Sequence, residues 1–95
     1  PISITIDSLI IRYGVFNPFS IPLNNISVVR INTEFVKRGK NLKRFNFSGA
    51  PNVEIRLANP INGICTVYLG LNEPKDFIKT LRLATKQREL PFQVN

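Results

Sequence analysis

The sequence predicts a mostly β domain closed by one C-terminal α-helix. Three observations carry that prediction. Residues 52–58 alternate Val53, Ile55 and Leu57 with polar neighbours, and residues 64–71 form a β-branched and aromatic run. An amphipathic stretch with helix-start chemistry then follows directly from Glu73. Together they describe a small system of bent sheets with the last element laid across it as a lid.

The elements before these read as short strands. Ile2, Ile4 and Ile6 alternate with Ser3, Thr5 and Asp7, predicting a strand over 2–7. After a turn at Asp7-Ser8, the run around Leu9-Ile-Ile-Arg-Tyr13 predicts a second strand over 9–15. Asn17-Pro18 marks the next turn. The alternation of Phe19, Ile21 and Leu23 predicts a strand over 19–23, and Pro22 marks an edge position or a bend there because proline cannot donate to a ladder. A strand over 26–32 follows the Asn24-Asn25 turn, with its inward face left open by the Val28-Val29 pair. Between Glu34 and Gly49 the pattern blurs into a loop or broken strand, and Phe45 with Phe47 marks a strand over 45–48.

Strands over 52–58 and 64–71 flank the turn cluster Asn59-Pro-Ile-Asn-Gly63. Asn72 reads as the N-cap of a helix over 73–88, with Pro74 in its first turn, where a missing N–H costs nothing. Phe77, Ile78, Leu81 and Ala84 fall on one helix face, and Lys75, Lys79, Arg82 and Lys86 on its flanks and back. Pro91 ends the pattern, leaving Phe92–Asn95 as a short tail.

Ninety-five residues, 43% of them apolar, are expected to form a single domain over 1–95 with its own core. The lone Cys65 precludes an internal disulfide and fits a reducing compartment. No window approaches the ~18 apolar residues of a membrane span. No signal-peptide layout opens the chain. It starts at Pro1 and holds no methionine, so the expectation is either a removed initiator or a domain excised from a longer, membrane-associated protein.

This order of five or more short strands and one closing helix resembles the pleckstrin-homology-like (PH-like) superfold. The stretch Pro51-Asn-Val-Glu-Ile-Arg-Leu57 is followed by a turn at Pro60 and by Val67-Tyr-Leu-Gly-Leu-Asn-Glu-Pro-Lys-Asp-Phe-Ile-Lys-Thr-Leu81. Together these resemble bacterial PH-like domains, as do Leu9-Ile-Ile-Arg-Tyr13 and Phe19-Ser-Ile-Pro-Leu-Asn-Asn-Ile-Ser-Val-Val29. The resemblance covers most of the chain except residues 33–50. It implies bent antiparallel sheets in a partly open barrel capped by the helix. It also implies a non-catalytic interaction module at the cytoplasmic face of the membrane, with a protein or peptide partner. The first hairpin offers only Arg12, so the phosphoinositide site of eukaryotic relatives is not carried over.

The residue inventory argues against an enzyme. The absence of histidine removes catalytic triads and most transition-metal sites. Cys65 lacks an activating neighbour and reads as a structural thiol. Glu54 reads as a solvent-facing strand residue, and Glu73 and Asp76 as helix-start charges. No cofactor is expected.

Thirteen Lys/Arg against six Asp/Glu give a charge of +7 and attraction to anionic surfaces. Five of the basic residues, Lys37, Arg38, Lys40, Lys43 and Arg44, fall within eight positions beside Phe35, Phe45 and Phe47. They are the candidate contacts for an anionic membrane or other anionic ligand. Nucleic acid is the disfavoured anion, because the pattern does not resemble an RNA-binding sheet with paired aromatics. A homo-oligomeric structural unit is the third expectation, since exposed strand edges self-associate.

Overall fold

The computed structural model describes residues 1–14 and 17–89, with side chains described as far as Lys86. β1 (Ile2–Ile4), β2 (Ser8–Ile11) and β3 (Phe19–Pro22) form one antiparallel meander. A 3-10 turn (Leu23–Asn25) leads into the second sheet, which contains β4 (Ile26–Ile31), β5 (Leu42–Asn46), β6 (Val53–Ile61) and β7 (Ile64–Gly70). Its spatial order is β4-β6-β7-β5, and the sheets do not close into a barrel. α1 (Pro74–Glu89) packs on β4 and on the 3-10 turn. The protein is therefore mostly β with a single C-terminal helix, as its sequence predicts.

β5 departs from the expected antiparallel layout. It pairs parallel with β7, Leu42 against Thr66 through Asn46 against Gly70. The chain leaves β5, crosses the end of the neighbouring slot, runs back as β6, and returns as β7 to fill the middle. The crossing is tight. The N–H groups of Phe47 and Ser48 both donate to the Gly70 carbonyl, at 2.9 and 2.8 Å. A Cβ on Gly70 would lie 2.9 Å from the Gly49 carbonyl oxygen, so only glycine fits beneath this turn. Asn52 then completes the corner: its amide donates to the Leu71 carbonyl at 2.7 Å and accepts from the Leu71 N–H at 3.0 Å.

Several boundaries shift from those the sequence predicts. β1 stops at Ile4, because Thr5 Oγ1 accepts from the Ser8 N–H at 3.0 Å and turns the chain, leaving Ile6 exposed. β5 starts at Leu42, three residues before the expected 45, and ends at Asn46. β6 runs through Asn59-Pro60 to Ile61, with a register shift after Arg56. The turn narrows to Asn62-Gly63, both at positive φ (50° and 81°), the geometry that suits Asn-Gly in a two-residue hairpin. The Val28-Val29 ambiguity resolves through an irregularity after Ile26: Val29 is buried and Val28 is exposed. Val15, Pro91 and the expected tail lie outside the described residues.

Leu9, Ile11 and Ile21 from the meander meet Val53, Ile55, Val67 and Leu69 from the second sheet, and α1 contributes Ile78 and Leu81. Phe77 and Ala84 are partly buried against the same core, so the helix face read from the sequence is the one that packs. Asn72 does not cap the helix as expected. Its Oδ1 accepts from Ser48 Oγ at 2.7 Å, while the first helical bond runs from Phe77 N–H to the Glu73 carbonyl.

Candidate functional site

β4 and β5 are the two edges of the second sheet, and they are finished differently. Along β4 lies α1, whose Arg82 donates from Nη2 to the Val29 carbonyl at 2.7 Å. No described strand or helix pairs with the outer edge of β5.

The orientation of the β5 backbone follows from its two ends. The Asn41 carbonyl accepts from Thr66 N–H at 3.3 Å, and Phe47 N–H donates to Gly70 at 2.9 Å. Because a ladder of this kind engages every second residue, Lys43 and Phe45 bond toward β7. The peptide groups of Leu42, Arg44 and Asn46 therefore face outward. Tyr13 reaches one of them, its hydroxyl lying 3.5 Å from the Asn46 carbonyl.

Beside this edge runs an open groove of about 640 Å³ between β5 and the start of β3. Its floor is aromatic. Tyr13 meets Phe45 edge-on at 5.7 Å between ring centroids, and Phe19 lies 6.0 Å from Phe45. Arg38, Lys43 and Asn62 also line it. Lys43 places its ammonium 5.7 Å from the Phe45 ring centroid, a loose cation–π contact that holds the charge over the groove.

The five basic residues singled out in the sequence do not act as one cluster. Lys37, Arg38 and Lys40 are exposed on the connection before β5, and Lys43 is exposed on the strand. Arg44, next on the strand, points to the opposite face and is half-buried. Its Nη1 donates to the Val36 carbonyl at 3.1 Å, tying down a connection whose Val36 is itself buried. Arg38, Lys43 and Arg44 thus all border the groove, and the Arg44 guanidinium also ties the preceding connection to the strand.

Glu54 corrects a second expectation. It is buried, with 5% of its surface exposed, rather than solvent-facing. Arg30 Nε donates to its Oε1 at 2.6 Å, Arg56 Nε donates to its Oε2 at 2.9 Å, and the Tyr68 hydroxyl lies 3.4 Å away. Burial by itself would raise the Glu54 pKa. The hydrogen bonds and charges of Arg30 and Arg56 outweigh it and hold the carboxyl below its usual value. Burial, then the Glu54 charge, push the Tyr68 phenol up. Every acidic and basic group here already has a partner, so the cluster staples three strands together.

The sequence did not mark Tyr13 or Phe19 as site residues, since each reads as an ordinary strand or turn residue. No helix among the described residues is long and apolar enough to cross a membrane, and no group of three potential metal ligands occurs among them. No protein-family model, curated protein or solved structure matches this chain.

Proposed function

We propose that the protein is a non-catalytic interaction module of the bacterial PH-like kind that takes an extended segment of a protein partner as an added strand on β5. The observation that carries this is the outward row of peptide groups at Leu42, Arg44 and Asn46 beside an aromatic-floored groove. Main-chain bonds to such an edge supply affinity, and alternate side chains of the incoming strand supply selectivity. The aromatic floor suits an aliphatic or aromatic side chain, and Arg38 with Lys43 suits acidic neighbours. The β4 edge is the poorer acceptor because Arg82 holds the Val29 carbonyl at 2.7 Å, a tighter hold than that of Tyr13 on the Asn46 carbonyl at 3.5 Å.

The PH-like kinship is supported by strands followed by one helix, and by the seating of Phe77, Ile78 and Leu81 against the core. The parallel β5 is a departure from it. Residence at the cytoplasmic membrane face belongs to the same reading and is supported by the charge of +7. That charge opposes pairing of two β5 edges between copies of the chain.

The test is selection of peptides from a random display library on the full chain, followed by amide-shift mapping with the selected peptide. Shifts centred on Leu42, Arg44 and Asn46, abolished by N-methylation of alternate peptide bonds, are the expected result. A selection without binders, or binding indifferent to N-methylation, overturns the reading.

A further inference from the structure

Around the end of β4 lies a surface of different chemistry. Ile31, the last residue of β4, borders both the Thr33–Lys37 segment and the flank of α1. Three apolar side chains stand out around it: Phe35 is 85% exposed, Leu83 54% and Ile31 40%. Lys37 lies on one side of Ile31, and Lys75, Lys79 and Lys86 lie on the other. The three helix lysines follow one flank at i, i+4 and i+11. Arg82 belongs to the same flank, but its guanidinium is turned to Val29 and pins the helix. The acids nearest in sequence are Glu34, Glu73 and Asp76, against four lysines, and Glu54 at the border of the surface is held by Arg30 and Arg56.

We infer that this face docks the protein on an anionic phospholipid membrane. The choice of cation decides among anionic partners. Contact surfaces built for proteins are depleted in lysine and use arginine, whose planar fork also suits nucleic-acid phosphates. Arg30 and Arg56 also border this surface but are held by Glu54, so the outward cations here without a carboxylate partner among the described residues are lysines. Their stems lie along apolar surface while the ammonium reaches a headgroup. Protruding Phe and Leu side chains ringed by lysine are what an interfacial membrane contact requires. The inference does not rest on strand addition: the helix lysines lie on the β4 side, and the Thr33–Lys37 segment meets β5 through the Arg44 side chain at Val36 rather than through the outward peptide groups.

The chain contains no tryptophan, so Phe35→Trp installs a single reporter without removing a charge. The full-length variant is mixed with phosphatidylcholine vesicles, pure or containing phosphatidylserine. The expected result is a blue-shifted emission with the phosphatidylserine vesicles alone. In sedimentation assays, Lys75→Gln and Lys79→Gln each weaken binding about fivefold, the worth of one basic side chain at an anionic leaflet. Phe35→Ser and Leu83→Ser also weaken it, whereas Arg38→Gln and Lys43→Gln change it less than twofold on the same scale. All these side chains are exposed, and an unchanged thermal melt verifies that each variant is folded. Absence of a blue shift, equal binding to pure phosphatidylcholine, indifference to the helix lysines, or loss through Arg38 and Lys43 instead overturns the assignment. So does binding to an RNA homopolymer in the absence of vesicle binding.

Discussion

The α-carbon of Gly70 sits beneath the carbonyl of Gly49, with 2.9 Å between that oxygen and the place where a side chain would begin. The carbonyls of Ser48 and Ala50 crowd the same point at 3.0 Å. All three neighbours are backbone, so no side chain can yield. Gly70→Ala is expected to cost about 1–3 kcal/mol, the range for overpacking a tight site. Urea denaturation of the variant measures it. A cost near zero would mean that the crossing turn can lift off β7.

Asn52 mimics a strand neighbour for Leu71 by using its side-chain amide as donor and acceptor together. Asn52→Ala leaves both Leu71 groups without that partner and is expected to cost about 1–3 kcal/mol. Asn52→Asp keeps the acceptor but sets a carboxylate oxygen against the Leu71 carbonyl, so at neutral pH its urea midpoint should lie no higher than that of Asn52→Ala.

The Glu54 network predicts an acid sensitivity of known sign. A carboxyl whose folded pKa lies below its ordinary 4.5 contributes its stabilisation in full above that value. The contribution is lost as pH falls through the lowered folded value. Glu54→Gln should therefore be less stable than wild type at neutral pH, and the gap should narrow as pH drops below 4.5. For Tyr68 the sign is opposite: its stabilisation is present below the ordinary 10.0 and fades above it. Urea midpoints across pH for wild type, Glu54→Gln and Tyr68→Phe check both.

Proline distinguishes the two kinds of β5 residue. Arg44→Pro removes an N–H that faces outward and should cost no more than Arg44→Ala, which already loses the Val36 contact. Lys43→Pro removes an N–H that bonds β7 and should cost about 1–3 kcal/mol more than Lys43→Ala. Equal costs at the two positions would put the free edge on the wrong residues.

Much of this architecture is legible in the residues. Val53, Ile55 and Leu57 alternate cleanly and are buried as the period-2 pattern requires, and Ile78 with Leu81 is the buried helix stripe. Of the edge or bend that Pro22 signals, the structure has the edge strand. What the sequence hides is long-range. Lys43 and Arg44 look like loop residues because an edge strand tolerates charge on both faces, so the sequence pattern marks only the second half of β5 and carries no sign of its direction. Glu54 looks exposed because alternation assigns it to the outer face, and nothing local reveals that Arg30, from another strand, closes over it. The groove needs Tyr13, Phe19 and Phe45, which come from separate elements and meet only through the packing of the two sheets.

The middle slot of the second sheet has a temporal consequence. β5 gains its ladder partner only when β7, the final strand, is in place. A ribosome-bound chain that has not yet exposed Ile64 thus carries β5 with both sides of its backbone open. Such a nascent species offers twice the unpaired ribbon of the finished molecule, and pairing errors between neighbouring chains concentrate in that interval. The lysine and arginine spread along residues 37–44 put like charge on identical segments, which opposes their pairing during that interval.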